Sequence, residues 1–205
     1  MRILKPNRTG LAQAVRVLRR GGVIVYPTDT AYGLGGVFDS PAVTRKILRI
    51  KNRTDKKFTL VASSRRQVER FFPLHPLQKK LAGHYWPGPL SLVVSRRFAV
   101  RVPAHPVART LCRRAGRPLI ASSANRSGQP SPYRVTTVVA QFRNQKDQPE
   151  LIIDAGPLPR RKSSTVVAIR AGRLKRQPTS TMVAVKRHQL VIIRSGRLTP
   201  HLIRW

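Results

Sequence analysis

One cysteine in 205 residues, Cys112, leaves no partner for an intramolecular disulfide and fits a reducing compartment. Acids are almost as scarce. Asp29, Asp39, Asp55, Glu69, Asp147, Glu150 and Asp154 make up the whole set, and none are spaced as the carboxylate pair of a glycoside hydrolase. The five histidines (His75, His84, His105, His188 and His201) show neither His-x-x-x-His nor Cys-His spacing, so no protein-bound metal centre is expected. No apolar run reaches the roughly 18 residues that span a bilayer. Met1-Arg-Ile-Leu-Lys-Pro6 lacks the apolar stretch of a signal peptide. These absences describe a soluble, cytoplasmic protein with no membrane partner.

Base is what the chain has in excess. Lys and Arg total 41, thirty of them arginine spread along the whole length, for a formal net charge of +34. Such a surface attracts polyanions and binds tRNA or other RNA at least non-specifically, with strong salt dependence. A proteome-wide basic bias would leave the same signature. With 40% apolar residues, the length suits one substantial core: a single domain with its core over about 8–200 and about ten mobile C-terminal residues.

Periodicity divides the chain into alternating helices and strands, an α/β (α+β) pattern. Leu11, Ala14, Val15 and Leu18 mark the apolar face of a first helix stopped by Gly21-Gly22. Val23 to Tyr26 reads as a short buried strand broken by Pro27, and Pro27 to Gly36 as a loop. Ser40-Pro41 caps a second helix, which places Lys51 and Arg53 at or just beyond its C-terminus. Phe58 to Ala62 reads as a strand, Ser64-x-x-Gln67 as a capping box opening a third helix, and 76–84 as a fourth. Strands follow at 90–94 and 100–102, then a helix over 107–115 closed by Gly116. Pro118 to Ala121 is a strand leading into a Ser-Ser-Ala-Asn loop. A helix over 134–142 and strands near 151–153, 164–169, 182–185 and 190–193 complete the pattern.

Small polar groups at a strand end, as in Ser122-Ser-Ala-Asn125, let a ligand approach closely, and two cations in alternation, Lys51-x-Arg53, can hold phosphates. Each has a plainer reading. Cations are favoured at any helix C-terminus by its dipole, and Ser and Asn favour ordinary turns. The segment Pro27-Thr-Asp-Thr-Ala-Tyr-Gly-Leu-Gly35 is neither a Walker A loop nor a dinucleotide-binding fingerprint.

The motifs taken in order say more than any one of them. Pro27-Thr-Asp-Thr-Ala-Tyr-Gly-Leu-Gly35, Lys51-x-Arg53, Trp86-Pro-Gly-Pro-Leu90, Val100-Arg-Val-Pro-Ala-His-Pro106 and Ser123-Ala-Asn-x-Ser-Gly128 together resemble the YrdC/TsaC family of L-threonylcarbamoyladenylate synthases, over nearly the whole chain. The length resembles the short form without an extra C-terminal domain. The resemblance implies a twisted mixed sheet with flanking helices around a basic concave cavity. It implies condensation of L-threonine, bicarbonate or CO2 and ATP to threonylcarbamoyl-AMP and pyrophosphate, with Mg2+ carried by the nucleotide. The product would pass to threonylcarbamoyl transferase machinery acting on tRNA. By the same resemblance Lys51 and Arg53 are the catalytic cations, and Lys51, Arg53, Ser123, Asn125, Ser131 and Arg194 bind ATP. Thr28, Arg101 and Ser164 bind threonine.

There are departures. Thr54 stands where many members carry proline. Ala62 replaces a histidine that helps hold threonine, Ala168 replaces an aspartate, and Arg194-Ser-Gly196 replaces Arg-Pro-Gly. The block Phe58-Thr-Leu-Val-Ala-Ser63 is closer to the YciO-type branch. An RNA-binding protein that uses the same basic cavity without making an adenylate is therefore the alternative.

Overall fold

The computed structural model describes residues 1–171, 182–185, 188–196 and 198. The expected mobile terminus falls almost wholly outside them.

Among the described residues, six helices and twelve strands intersperse in the expected α/β pattern, and the strands divide between two mixed sheets. Helix α1 (Arg8–Arg19) opens on Asn7, whose side-chain oxygen accepts from Gly10 N at 2.8 Å and so satisfies one of the orphan donors of the first turn. Helix α2 (Pro41–Lys51) starts as read, with Ser40 accepting from Val43 N, and ends on Asn52 in the left-handed region. Helix α5 (Pro106–Ala115) closes on Gly116 at φ 76°. Ser64 caps α3 (Arg65–Phe71), but Gln67 reaches Ser63 N instead of Ser64 N, so the box is not reciprocal. A reciprocal box forms at α4 (Pro76–Tyr85), between His75 and Gln78. Helix α6 (Val135–Phe142) has no side-chain cap.

The five-stranded sheet runs β1 (Arg2–Leu4), β9 (Leu151–Ile153), β2 (Ile24–Pro27), β3 (Tyr32–Gly35), β8 (Ser122–Ser123). The seven-stranded sheet runs β11 (Met182–Val185), β12 (His188–Arg194), β10 (Thr165–Ala171), β5 (Leu90–Val93), β6 (Phe98–Arg101), β4 (Phe58–Val61), β7 (Leu119–Ile120). Besides β1, where no strand was expected, two segments differ from the sequence reading. The expected loop over Pro27 to Gly36 is the return of a hairpin: β3 pairs antiparallel with β2, and only Thr28 to Ala31 form the turn. Glycines at 33 and 35 weaken the local strand preference, and the pairing overrides it. Ser122 and Ser123, read as the start of a loop, are a strand of the other sheet.

That second difference positions the site. The chain leaves the seven-stranded sheet after Ile120 and joins the five-stranded one at Ser122, so one extended run belongs to both. Ile120 N donates to Gly36 O at 2.9 Å and Ala121 N to Thr59 O at 2.8 Å, which ties the crossing to each side. Apolar clusters fix the sheets around this seam. One gathers Val25, Leu34, Ile47, Leu60, Val100 and Phe142, and another packs α1 and α5 on β2 and β9. No helix among the described residues is long and apolar enough to cross a membrane.

Candidate functional site

A cavity of about 310 Å³ opens at the seam. Its walls are the Thr28–Ala31 turn, the start of β3, the segment just past α2, the crossing at Ala121 to Ser123, Arg101 at the end of β6, the loop before β10 and Arg194 at the end of β12. Among the described residues, Arg53, Lys57, Arg101, Arg161 and Arg194 line it, and no acidic residue does. Five cations converging on one hollow repel each other, so the arrangement favours an anionic occupant. Among the described residues, no group of three or more His, Cys, Asp or Glu could hold a metal ion.

Seven of the nine residues singled out in the sequence line this cavity: Arg53, Ser123, Ser131, Arg194, Thr28, Arg101 and Ser164. Arg53 lies over the Phe58 ring at 5.3 Å and donates from Nη2 to Asp55 Oδ2 at 2.7 Å and Lys57 O at 2.8 Å. Arg194 and Ser164, drawn from opposite halves of the implied reaction, touch. Arg194 donates to the Ser164 carbonyl through Nε and Nη2, and to its hydroxyl at 3.2 Å. The Ser164 hydroxyl also shares a proton with Ser91 Oγ at 2.9 Å. Burial, then the nearby charge of Arg101, lowers the Arg194 pKa. The Thr28 hydroxyl donates to Ala31 O at 2.7 Å and accepts from the turn's own amides, so it shapes the turn that lines the cavity.

Arg101 is buried, and both terminal nitrogens of its guanidinium are held. Nη1 donates to Asp29 Oδ1 and Nη2 to Thr30 Oγ1 at 3.1 Å. The second oxygen of Asp29 is buried and has no hydrogen-bond partner among the described residues. His105 sits near enough to Asp29 for the carboxylate to offset part of the burial that lowers its pKa.

Lys51 and Asn125 stand behind the wall instead of in it. Buried Lys51 donates from Nζ to the main-chain oxygens of Ser123 at 2.5 Å and Asn125 at 2.6 Å. Its own carbonyl accepts from Ser127 N at 2.9 Å. The Asn125 amide donates to Arg126 O and Gln129 O, which closes the loop on itself, and its Oδ1 is buried without a partner. Both side chains thus hold the backbone that carries Ser122 and Ser123 to the cavity. Burial and the charge of Arg53 bring the Lys51 ammonium down from the usual 10.5 to about 8.

Thr30, Lys57, Tyr133 and Arg161 line the cavity and were not singled out as site residues. Arg161 belongs to a basic run, Arg160-Arg-Lys162, whose signal is lost among 41 cations. Ala62 and Ala168, the two departures on the threonine side, are buried and do not line the cavity; Ala62 N is held by Arg101 O at 2.9 Å.

With this geometry in hand, similarity to known proteins gains meaning. A family model named Sua5/YciO/YrdC and described as "Telomere recombination" matches residues 16–196. A threonylcarbamoyl-AMP synthase of Coxiella burnetii is 40% identical over 151 residues, 66% of this chain and 81% of that protein. A double variant of P. abyssi Sua5 superimposes with a TM-score of 0.79 at 29% identity, over 97% of this chain and 61% of that one. P. abyssi Sua5 complexed with L-threonine gives a TM-score of 0.71 at 34% identity, over 82% and 53%. The chain therefore spans somewhat over half the length of the Sua5 chains it matches, and most of the length of the bacterial synthase. The chain belongs to the Sua5/YciO/YrdC family.

Proposed function

We propose that this protein is an L-threonylcarbamoyladenylate synthase: it condenses L-threonine, bicarbonate or CO2, and ATP to threonylcarbamoyl-AMP and pyrophosphate, for threonylcarbamoyladenosine formation in tRNA. The observation that carries the reading is the cavity itself, with five cations and no acid on its walls, in a chain 40% identical to a protein named for this activity.

In the reacting pair, threonine carbamate is an anion and ATP a polyanion, so charge crowding dominates the barrier. A carbamate oxygen bonds to the α-phosphorus while the bond from that phosphorus to the bridging oxygen breaks, and pyrophosphate leaves with the electron pair. Fixed cations lower this barrier by meeting charge where it accumulates, and positioning supplies much of the rest. Arg53, Lys57 and Arg161 suit the triphosphate, and Arg53 offers a planar fork for two phosphate oxygens. Arg101, held by Asp29 and Thr30, suits the threonine carboxylate. The hydroxyls of Ser123 and Ser131 on the same walls contribute neutral donors. Lys51 and Asn125 act by holding the Ser122–Ser123 run at the wall. With no carboxylate on the walls, Mg2+ would ride on the triphosphate oxygens and help neutralise them, with few protein ligands. No general base is required once the carbamate exists. We place this activity in a single cytoplasmic domain that hands its product to a transferase.

RNA binding is the second reading, favoured by the +34 net charge. One experiment separates them: pyrophosphate release is followed with threonine, bicarbonate and ATP, alongside RNA affinity at two salt concentrations. Release that depends on all three substrates, and falls in Lys51→Ala while the salt-sensitive RNA affinity persists, supports the synthase. RNA binding with no threonine-dependent release overturns it.

A further inference from the structure

Asp29, the ion-pair partner of Arg101, has no place in the chemistry just described. A buried ion pair is not by itself a stabilising feature, because desolvation of two charges consumes what their attraction returns. This one is also incomplete, since Asp29 leaves one buried oxygen unpaired. Its location is informative. Asp29 lies in the four-residue turn whose other members, Thr28, Thr30 and Ala31, all line the cavity. Asp29 itself does not line it; it stands behind Arg101 and touches the cavity through that side chain.

Its effect on the cavity is electrostatic and directional. Arg53, Lys57, Arg161 and Arg194 are not matched by any buried acid; the one carboxylate among them, Asp55 on Arg53, is largely exposed. Arg101 is matched, by a carboxylate as inaccessible as itself. The unmatched cations thus set a strongly positive potential, and around Arg101 the Asp29 charge cancels the guanidinium's own, leaving the neighbouring Arg194 as the excess charge there. A triphosphate is drawn to the unmatched cations. An α-amino acid, with one carboxylate and no net charge, suits Arg101, because it needs the fork and gains little from excess positive potential.

Resting on the synthase reading, we infer that Asp29 is a specificity-determining positioning residue that reserves the Arg101 fork for the amino-acid carboxylate and keeps phosphates off it. One contact on each terminal nitrogen, Nη1 to Asp29 and Nη2 to Thr30, fixes the plane of the guanidinium and leaves its remaining N–H donors for the ligand. Neutralising Asp29 releases the fork and turns that end of the cavity into a second anion site.

The test compares the wild type with Asp29→Asn, which keeps the shape and removes the charge. Threonine-dependent pyrophosphate release is measured with inorganic tripolyphosphate as the inhibitor. In the wild type, tripolyphosphate competes with ATP and not with threonine. In Asp29→Asn the threonine KM rises roughly tenfold or more, the ATP KM stays within about twofold, and tripolyphosphate becomes competitive with threonine. A residue that merely stabilised the fold would shift both substrates together and leave the inhibition pattern unchanged, and that result overturns the inference. Adding Arg101→Ala gives a second check: if Asp29 acts only through Arg101, the double variant is no worse than Arg101→Ala alone. Should Asp29→Asn fail to fold, Thr30→Val removes the other contact and must raise the threonine KM selectively; no rise overturns the inference. A wild type without threonine-dependent release overturns the synthase reading and this inference with it, whereas an active wild type with a normal Asp29→Asn variant overturns the inference alone.

Discussion

Lys51 is bonded to Asn125 through the main chain, its ammonium 2.6 Å from the Asn125 carbonyl oxygen, and a matching bond to Ser123 makes the pair a clamp on the strand end that faces the cavity. The charge of Lys51 therefore works partly as a backbone anchor. Lys51→Met keeps the length of the stem and removes the clamp. Leaving the buried carbonyl oxygens without a donor costs about 1–3 kcal/mol, measurable by chemical denaturation. Displacing Ser122 and Ser123 by even an ångström lowers kcat/KM by about 100-fold. An active, fully stable Lys51→Met enzyme would remove the clamp from the account.

The same lysine predicts a pH signature. Its folded pKa, about 8, lies below its ordinary 10.5. Between those values the unfolded chain binds the proton and the folded one does not, so this group's contribution to stability rises with pH across that window and is flat outside it. The difference in unfolding free energy between wild type and Lys51→Met should increase from pH 8 upward, by at most about 3 kcal/mol, because the two carbonyl bonds favour the ammonium and oppose the effect of burial. Activity should move the other way and decline as pH passes about 8, since the neutral amine holds the loop more weakly. Denaturation curves and kcat/KM profiles over that range check both signs.

How much of this could be read before the structure depends on how local each signal is. Helix α2 was legible because Ser40, Pro41 and the apolar positions Val43, Ile47 and Ile50 are one continuous message. Strand β3 was not, because Gly33 and Gly35 argue against a strand locally and only pairing with β2 outweighs them. Strand β1 was missed for the same reason: its partner β9 lies about 150 residues away. Within the site, Arg53, Arg101, Ser123 and Arg194, singled out through the family resemblance of the ordered motifs, all line the cavity. The direction of a side chain was beyond reach. Whether the Lys51 ammonium meets a ligand or a carbonyl depends on the curvature of the 123–127 loop, which no spacing encodes. Arg161 shows the opposite limit: a cation in a chain of 41 carries no information until the fold brings it to the wall.

Arg53 carries its own competitor. Asp55 occupies one edge of its guanidinium at 2.7 Å, while the backbone N–H of Lys57 and then Arg53 hold the Asp55 carboxyl below its usual pKa. A phosphate arriving at Arg53 has to displace or share that edge. Asp55 is largely exposed, so its hold is weak. Asp55→Asn should lower the ATP KM by about two- to fivefold at low salt, and the gain should fade as ionic strength rises. Arg53→Lys keeps the charge and loses the fork, so the ATP KM should rise by about tenfold or more in spite of conserved charge. Steady-state kinetics with ATP varied at saturating threonine check both, and a Lys variant equal to wild type would mean that Arg53 acts as a point charge only.

The two glycines of β3 make a paired prediction about why that motif is built as it is. A Cβ at Gly35 would overlap the Ile120 carbonyl, part of the backbone that crosses between the sheets. A Cβ at Gly33 would meet Thr28 Cγ2 at 3.4 Å, an ordinary contact, although Gly33 lines the cavity. Gly35→Ala must therefore push the two sheets apart at the seam and should cost about 3 kcal/mol or more. Gly33→Ala should cost within about 1 kcal/mol yet raise a substrate KM, because its methyl group takes space from the ligand. Urea denaturation of both variants, with kinetics of the second, tests the assignment. Equal stability losses would show that the glycines serve strand flexibility in common. Unequal losses with a kinetic defect confined to residue 33 would assign one glycine to the architecture of the seam and the other to the occupant of the cavity.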